Sequence, residues 1–160
     1  MSSALGMAHF TAALVAMALG AVLLCERKGT PTHRMIGVGY VLAMLVVNVT
    51  ALCLYRLTGR FGPFHALALV SLAIVIGGIV ATLLRRERWL HTHYYCMAWT
   101  YVGLLAAACA EALARVPIFS AAVNSPTRAI GLGIGIAGLF GVLGALVLAR
   151  LESRVLSSAK

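Results

Sequence analysis

Five apolar runs, each about 20 residues long, limit what this chain can fold into. A helix of that length spans the hydrocarbon core of a bilayer, where backbone groups without hydrogen-bond partners are costly. Short turns that carry charges, and in several cases Gly or Pro, separate the runs. We therefore predict an all-α fold, an integral membrane bundle of five transmembrane helices in one transmembrane domain. The predicted helices cover residues 4–25, 35–55, 64–84, 91–114 and 129–149.

The composition excludes a soluble domain and argues against nucleic acid as a partner. Hydrophobic residues make up 62% of the chain and charged residues 11%, whereas a typical soluble domain has roughly 25% charged residues. The net charge of +9 comes from Lys and Arg residues at the ends of the apolar runs, not on one aromatic-interleaved face. This placement is typical of charges at a membrane surface. The expected partner is the lipid bilayer, and no nucleic acid is expected.

The distribution of Lys and Arg predicts the side of the membrane on which each terminus lies. The turns after helices 1 and 3, together with the C-terminal tail, hold most of the thirteen Lys and Arg residues. Because basic loops stay in the cytoplasm, we predict an N-terminus outside and a C-terminus in the cytoplasm. No Lys or Arg precedes the first run, unlike in a signal peptide, so we predict that this run is a retained helix.

Histidines lie on, or in the case of His33 just before, the first four predicted helices, near alternate ends. His9 and His65 fall near the outer ends of helices 1 and 3. His33 and His93 fall near the inner ends of helices 2 and 4. With one histidine from each helix, the predicted layout places a pair near each membrane surface.

Helix 4 opens with two histidines, and its periodicity allows a choice between them. His91 and His93 lie on different faces of a helix because two residues separate their side chains by about half a turn. His93 shares a face with Thr100 and with Glu111, which follows His93 by about five whole turns. We expect this face to form the interior of the bundle, with His93 as its inner member.

The outer histidines and one carboxylate form a candidate metal site. His9, His65 and Glu111 are predicted at similar depth, and two imidazoles with a carboxylate are a recognised ligand set for a divalent transition metal. The same groups would serve a proton relay or bind a quinone headgroup. The alternative is that Glu111 pairs with Arg115 one turn later while the histidines sit at the wet interface.

The two-leaflet histidine layout also resembles that of b-type membrane cytochromes, in which histidine pairs ligate haem iron. On this interpretation the cofactor-binding residues are His9, His65, His33 and His93, and the cofactor is haem b. Electrons would then pass between a quinone and an acceptor across the bilayer. The alternative is that the histidines are structural or interfacial, which the basic turn beside His33 also allows.

Glycines line one part of the fifth predicted helix. Gly131 and Gly135 form a GxxxG step, and Ala137, Gly141 and Ala145 form a second step of small residues. Small residues let helix backbones approach closely in a membrane. We expect this face to seat helix 5 on the other four helices, with a membrane protein partner as the alternative.

A pattern at the start of helix 2 resembles the signature of a bacterial family of multi-helix membrane proteins, which is catalogued as a domain of unknown function. The pattern is KGTxxHRxxGxxY over residues 28–40, and the FGPFH turn around His65 and the histidine-rich entry to helix 4 support it. The resemblance implies a multi-pass protein of the bacterial cytoplasmic (inner) membrane.

Two functional hypotheses follow from these patterns. The first is a small membrane protein that holds haem or a metal through its histidines and passes electrons to or from a quinone. The second is a non-enzymatic membrane subunit, or a small ion- or proton-coupled transporter that uses Glu111 and the histidines. Signatures of hydrolases, P-loop enzymes and zinc proteases are missing from the sequence, so it indicates no enzyme class.

Overall fold

The computed structural model describes residues 2–54, 61–116 and 126–158 and contains five α-helices in these ranges. All five helices are apolar enough and long enough to cross a bilayer. The predicted fold class, an all-α bundle of five membrane-spanning helices, is confirmed, and no strand occurs in the described ranges. The helices are α1 (Ser2–Cys25), α2 (Pro31–Cys53), α3 (Pro63–Leu84), α4 (Trp89–Arg115) and α5 (Pro126–Ser158).

Helix α2 begins at Pro31, before the predicted start at residue 35. The Thr30 hydroxyl accepts a hydrogen bond of 3.1 Å from the backbone N–H of His33, which makes Thr30 the N-cap. Proline suits the first helical position, because its φ is already helical and its missing N–H would have had no partner there. Pro31 therefore starts a helix where a helix break was predicted, and His33 lies in the first turn of α2.

Lys28 ends α1 by capping its last carbonyl groups. The ammonium donates hydrogen bonds to the carbonyl oxygens of Leu23, at 2.5 Å, and Glu26, at 3.0 Å. A cation at this position also interacts favourably with the negative end of the helix dipole. Burial lowers the pKa of Lys28. The turn then continues through Gly29, whose φ of +82° suits a residue without a side chain.

Helix α5 is longer than predicted, because it continues to Ser158 rather than ending near residue 149. The apolar run ends at Ala149, but Arg150, Leu151 and Glu152 are good helix formers and no Gly or Pro follows them. Hydropathy marks where a chain leaves the bilayer, whereas a helix ends only where its backbone finds other partners. The added turns bring Glu152 against α4.

Helices α1 to α4 form a ring, and α5 packs on its outside. The main contacts within the ring join α1 to α2, α2 to α3, α3 to α4, and α4 to α1, whereas those of α5 are with α4. Helices α2 and α4 therefore face each other diagonally across the ring. The buried centre is formed by Ala16, Tyr40, Met44, Val75 and Leu104.

Two glycines allow close helix contacts within the ring. The place that a Cβ atom would take at Gly20 of α1 is occupied by the ring of Tyr101 on α4. At Gly78 of α3, a Cβ would meet the side chain of Met97 and would lie 2.9 Å from the Cβ of Cys96. Close approach at small residues is how packing, rather than hydrophobic force, joins helices in lipid.

The expectation that the glycine face of α5 seats this helix on the bundle is wrong for most of its length. At Gly131, Gly133, Gly135, Gly138 and Gly141, a Cβ atom would meet no other side chain or helix within 4 Å. A Cβ at Gly144, by contrast, would lie 3.0 Å from Val102 on α4. Glycine permits close approach but does not require it, and these five glycines do not make the contacts of α5 with the ring.

Replacing Thr30 with alanine is expected to destabilise the fold by about 1 kcal/mol, because the N-cap of α2 loses its hydroxyl acceptor. The measurement is the unfolding midpoint in a titration with SDS. The matched control is Thr32→Ala, an exposed threonine in the same helical turn, which should change the midpoint little. Equal effects of the two replacements would contradict the capping role.

Candidate functional site

One buried hydrogen bond aligns α2 with α4 across the ring. The hydroxyl groups of Tyr40 and Thr100 are 3.0 Å apart, and the Thr100 hydroxyl in turn donates to the carbonyl of Met97. Because the Thr100 hydroxyl donates its single proton to that carbonyl, it accepts from Tyr40, and Tyr40 is the donor. His33 precedes Tyr40 by seven residues, and His93 precedes Thr100 by seven. Two parallel helices with equal spacing therefore place His33 and His93 in one layer, about two turns from the hydrogen bond.

The charge of His93 acts on the His33 ring, in agreement with this alignment. Their layer belongs to the end of the bundle that carries the α1–α2 turn, the α3–α4 turn and the C-terminal part of α5, here called the basic end. The positive charges of Lys28 and Arg34 and the negative charge of Glu26 also act on His33. The structure thus places both histidines of the predicted inner pair at the basic end of the bundle.

The hydrogen bond of His93 determines the position of its proton. Its Nδ1 lies 3.0 Å from the carbonyl oxygen of Gly78 on α3. A carbonyl only accepts, so Nδ1 carries hydrogen and a neutral His93 keeps its lone pair on Nε2. A histidine oriented by an Nδ1–H bond to a backbone carbonyl is the usual arrangement of a metal-ligating histidine.

The Nδ1 of His33 is buried and has no hydrogen-bond partner within the part of the chain that the structure describes. A buried polar atom of this kind costs free energy unless something else satisfies it. His33 is held in place through its backbone, whose N–H binds the Thr30 cap. The position of the His33 ring is therefore set by the backbone of α2. Its Nδ1 makes no hydrogen bond to a described residue.

His9 at the opposite end of the bundle is tied to α2. Its Nδ1 lies 2.9 Å from the Thr50 hydroxyl and 3.2 Å from the carbonyl of Val47. The Thr50 hydroxyl donates to the carbonyl of Val46 at 2.6 Å and so accepts from His9. His9 thus carries hydrogen on Nδ1, and its Nε2 keeps a lone pair.

His65, the predicted partner of His9, has a different hydrogen-bond pattern. It is buried, and its Nδ1 accepts a hydrogen bond of 3.2 Å from the backbone N–H of Gly62. A neutral His65 must then carry hydrogen on Nε2, the nitrogen with which His9 could have shared a metal. The ring of Phe61 lies 5.2 Å from the His65 ring. These contacts are those of a histidine that closes the first turn of α3.

Glu111 is exposed, so the predicted polar interior along α4 does not extend to it. Thr100 and Leu104 are buried as expected, but Ala107 on the same face is already exposed. In residues 2–54, 61–116 and 126–158, no group of three or more His, Cys, Asp or Glu side chains could hold a metal ion. The structure therefore does not bring Glu111 together with His9 and His65. The alternative pairing involves the side chain of Arg115, which lies outside the described residues.

His91 contacts α5 rather than the ring interior. Its Nε2 lies 3.0 Å from one carboxylate oxygen of Glu152, and the Tyr95 hydroxyl donates to the other oxygen at 2.7 Å. The neighbouring Tyr94 hydroxyl lies 3.5 Å from the carbonyl of Leu148. Sequence reasoning missed Glu152, although it is one of only four acidic residues in the chain.

Replacing Glu152 with alanine is expected to loosen the C-terminal part of α5 from α4. The half-exposed pair with His91 contributes about 1 kcal/mol or less, so the loss should be local rather than global. Limited proteolysis after Arg150 and Arg154 measures this loosening as faster cleavage. Glu87→Ala, in the exposed α3–α4 turn, is the control and should leave the cleavage rate unchanged.

The interior between the two ends of the bundle is polar at isolated points. Asn48 donates to the carbonyl of Met44, one turn earlier in its own helix, at 2.8 Å. Tyr101 donates to the carbonyl of Met17 at 3.2 Å. Tyr101 thereby joins α4 to α1, whereas Asn48 bonds within α2, and both hydrogen bonds end on a backbone carbonyl. They do not form a continuous chain of exchangeable groups from one end to the other.

Comparison with known proteins gives a family for this chain. A model of predicted membrane proteins with a domain of unknown function, DUF2306, matches residues 6–151. No curated protein and no solved structure matches the chain. The match covers all of α2, α3 and α4 and most of the other two helices. The chain is therefore a member of the DUF2306 family of predicted membrane proteins.

Proposed function

We propose that the bundle holds a b-type haem between His33 and His93 and transfers electrons within the membrane. The observation that carries this proposal is the layer that the two histidines share on diagonally opposed helices. His93 keeps a lone pair on Nε2, and the Nδ1 of His33 is buried without a partner in the described residues. Each histidine thus has a nitrogen that no described side chain uses.

The charges around His33 support a haem rather than a bare metal ion. Haem carries two carboxylates, and the charges of Lys28 and Arg34 act on the His33 site from the basic end. The Lys28 ammonium already donates to backbone carbonyls at the end of α1, so Arg34 is the cation that would form a charge-assisted hydrogen bond with a carboxylate. A dication would instead face repulsion from Lys28 and Arg34, which the single charge of Glu26 offsets only in part.

Ligation by two histidines would leave the iron without an open position, which suits electron transfer rather than oxygen binding or activation. The protein's part would be to orient the two rings and to set the potential through the Gly78 carbonyl, which strengthens His93 as a ligand. A quinone is the proposed electron partner, because it dissolves in the bilayer that the five helices span.

The opposite end supports a second haem less well. His9 keeps an Nε2 lone pair, but the hydrogen bond to His65 Nδ1 leaves a neutral His65 protonated on Nε2. Ligation there would require His65 to give up the contact with Gly62. We therefore expect haem to bind at the basic end in preference to the opposite end.

A competing proposal is that the protein is a membrane subunit. The open glycines of α5 favour it, because a second transmembrane helix could approach them closely. Proton-coupled transport is supported less, since Glu111 is exposed and the interior hydrogen bonds end on backbone carbonyls. The particle mass in mild detergent tests the subunit proposal: a monodisperse single chain would contradict it.

The absorption spectrum of the purified protein tests the haem proposal. Cells supplied with a haem precursor should give a coloured protein with a Soret band, sharp bands after reduction, and about one haem per chain. Electron paramagnetic resonance of the oxidised protein should show low-spin iron, as two strong nitrogen ligands require. A colourless protein that takes up no haem when haem is added in detergent would refute the proposal.

A further inference from the structure

We propose that a groove between α3 and α4 at the basic end binds an anionic phospholipid. The groove has a volume of about 220 Å³ and is open to the surroundings of the bundle. Its lining comes from α3, the α3–α4 turn and the first turn of α4, and includes neither His33 nor His93. Its lining is apolar along α3 and polar at the α3–α4 turn.

The apolar part of the groove is suited to a lipid tail, because it is lined by apolar residues and runs along α3. Gly77, Val80, Ala81 and Leu84 follow one another along a single face of α3, over about two turns. The small residues in this row leave room at the helix surface, and a Cβ at Gly77 would meet only Cys96, at 3.9 Å. An acyl chain running along the bilayer normal would lie parallel to this row.

The polar part of the groove has a net positive charge at the depth of a lipid headgroup. Residues 85–88 contribute three arginines and one glutamate, 3 − 1, a net charge of +2. Arg86 and Glu87 line the groove itself. All four side chains are exposed. This excess of positive charge is complementary to an anionic phosphate, and Glu87 disfavours a second anion beside it.

A cation–π contact between Arg85 and Trp89 holds both side chains at the border of the groove. The Trp89 ring lines the groove, and the Arg85 guanidinium lies 5.5 Å from its centre. A cation over an indole face is attracted to it, and tryptophan prefers the level of the lipid headgroups. Arg85 and Trp89 are therefore held together where the tail of a lipid would meet its phosphate. Charge complementarity and the apolar row of α3 together favour a phospholipid over a free anion.

Native mass spectrometry of the purified full-length protein in neutral detergent tests this proposal. Added dioleoylphosphatidylglycerol should remain bound and should raise the unfolding temperature more than dioleoylphosphatidylcholine does. The variant Arg85→Gln/Arg86→Gln should bind phosphatidylglycerol about 10- to 30-fold more weakly, since each basic residue contributes to the attraction. Ala81→Phe, which fills the apolar row, should weaken binding of both lipids.

The control is Arg27→Gln/Arg150→Gln, which removes the same charge from exposed positions elsewhere at the same end. It should keep the affinity for phosphatidylglycerol. An equal loss in this control would show general surface attraction and overturn the proposal, as would equal binding of the two lipids. Stabilisation by glycerol phosphate to the same degree would also overturn it, because it would indicate a free-anion site without a tail.

Discussion

Replacing His93 with leucine is expected to remove haem from the purified protein, with a fall of at least about tenfold in haem per chain. The Nε2 lone pair of His93 is the iron ligand in the proposed site, and leucine has no lone pair. The Gly78 carbonyl would also lose the N–H that it accepts at 3.0 Å. The measurement is the Soret absorbance relative to protein concentration.

The matched control for this replacement is His91→Leu, two residues earlier in the same helix. The His91 side chain is 46% exposed and contacts Glu152 on α5, away from the ring interior. This variant should keep its haem and its reduced spectrum. Equal haem loss in both variants would mean that the histidine layer is not the binding site.

A second variant separates ligation from folding. His93→Met places a thioether ligand at the same position, and a methionine ligand raises the potential of a haem that it coordinates. We therefore expect His93→Met to retain haem with a higher midpoint potential, whereas His93→Leu retains none. If both variants were folded and had the spectrum of the natural protein, His93 would not be a ligand.

The five helices could be predicted because the bilayer leaves few alternatives to a helix of that length. Their boundaries were harder to predict, since each boundary depends on a local contact. Pro31 breaks a helix in one context and starts one in another, and the Thr30 side chain decides between these outcomes. Helix α5 passes the end of its apolar run for a comparable reason, because Glu152 finds partners on α4.

Periodicity predicted part of the candidate site. Counting turns along α4 distinguished His93 from His91, because this distinction depends only on which face a residue occupies. The same counting predicted that Glu111 lies in the interior, but its side chain is exposed. A face of one helix is buried only while a neighbouring helix covers it, and along α4 the covered face ends after Leu104. The burial of a helix face depends on how the helices pack in the fold, and this packing cannot be predicted from a single sequence.

The tautomers of the histidines could not be predicted either, because they depend on contacts between helices. His93 and His9 donate through Nδ1 to groups on other helices, and His65 accepts at Nδ1 from its own turn. In the sequence the two pairs of histidines are equivalent. The hydrogen bonds distinguish them and favour the basic end.

Replacing Gly20 with alanine is expected to destabilise the bundle by about 1–3 kcal/mol, because the new methyl group overlaps the ring of Tyr101. That ring cannot move alone. Its hydroxyl donates to the carbonyl of Met17, and its ring packs at a steep angle against the ring of Tyr40, with ring centres 6.4 Å apart. Displacing Tyr101 therefore separates α1 from α4 beside the hydrogen bond that aligns the two histidines.

The control for Gly20→Ala is Gly6→Ala, a glycine of the same helix at which a Cβ atom would meet nothing within 4 Å. Alanine is the better helix former by about 1 kcal/mol, so Gly6→Ala should leave stability unchanged or raise it slightly. Unfolding midpoints in SDS should thus move in opposite directions for the two variants. If Gly20→Ala also raised the midpoint, α1 and α4 would not be in contact at Gly20, and the closed ring that positions His33 opposite His93 would be refuted.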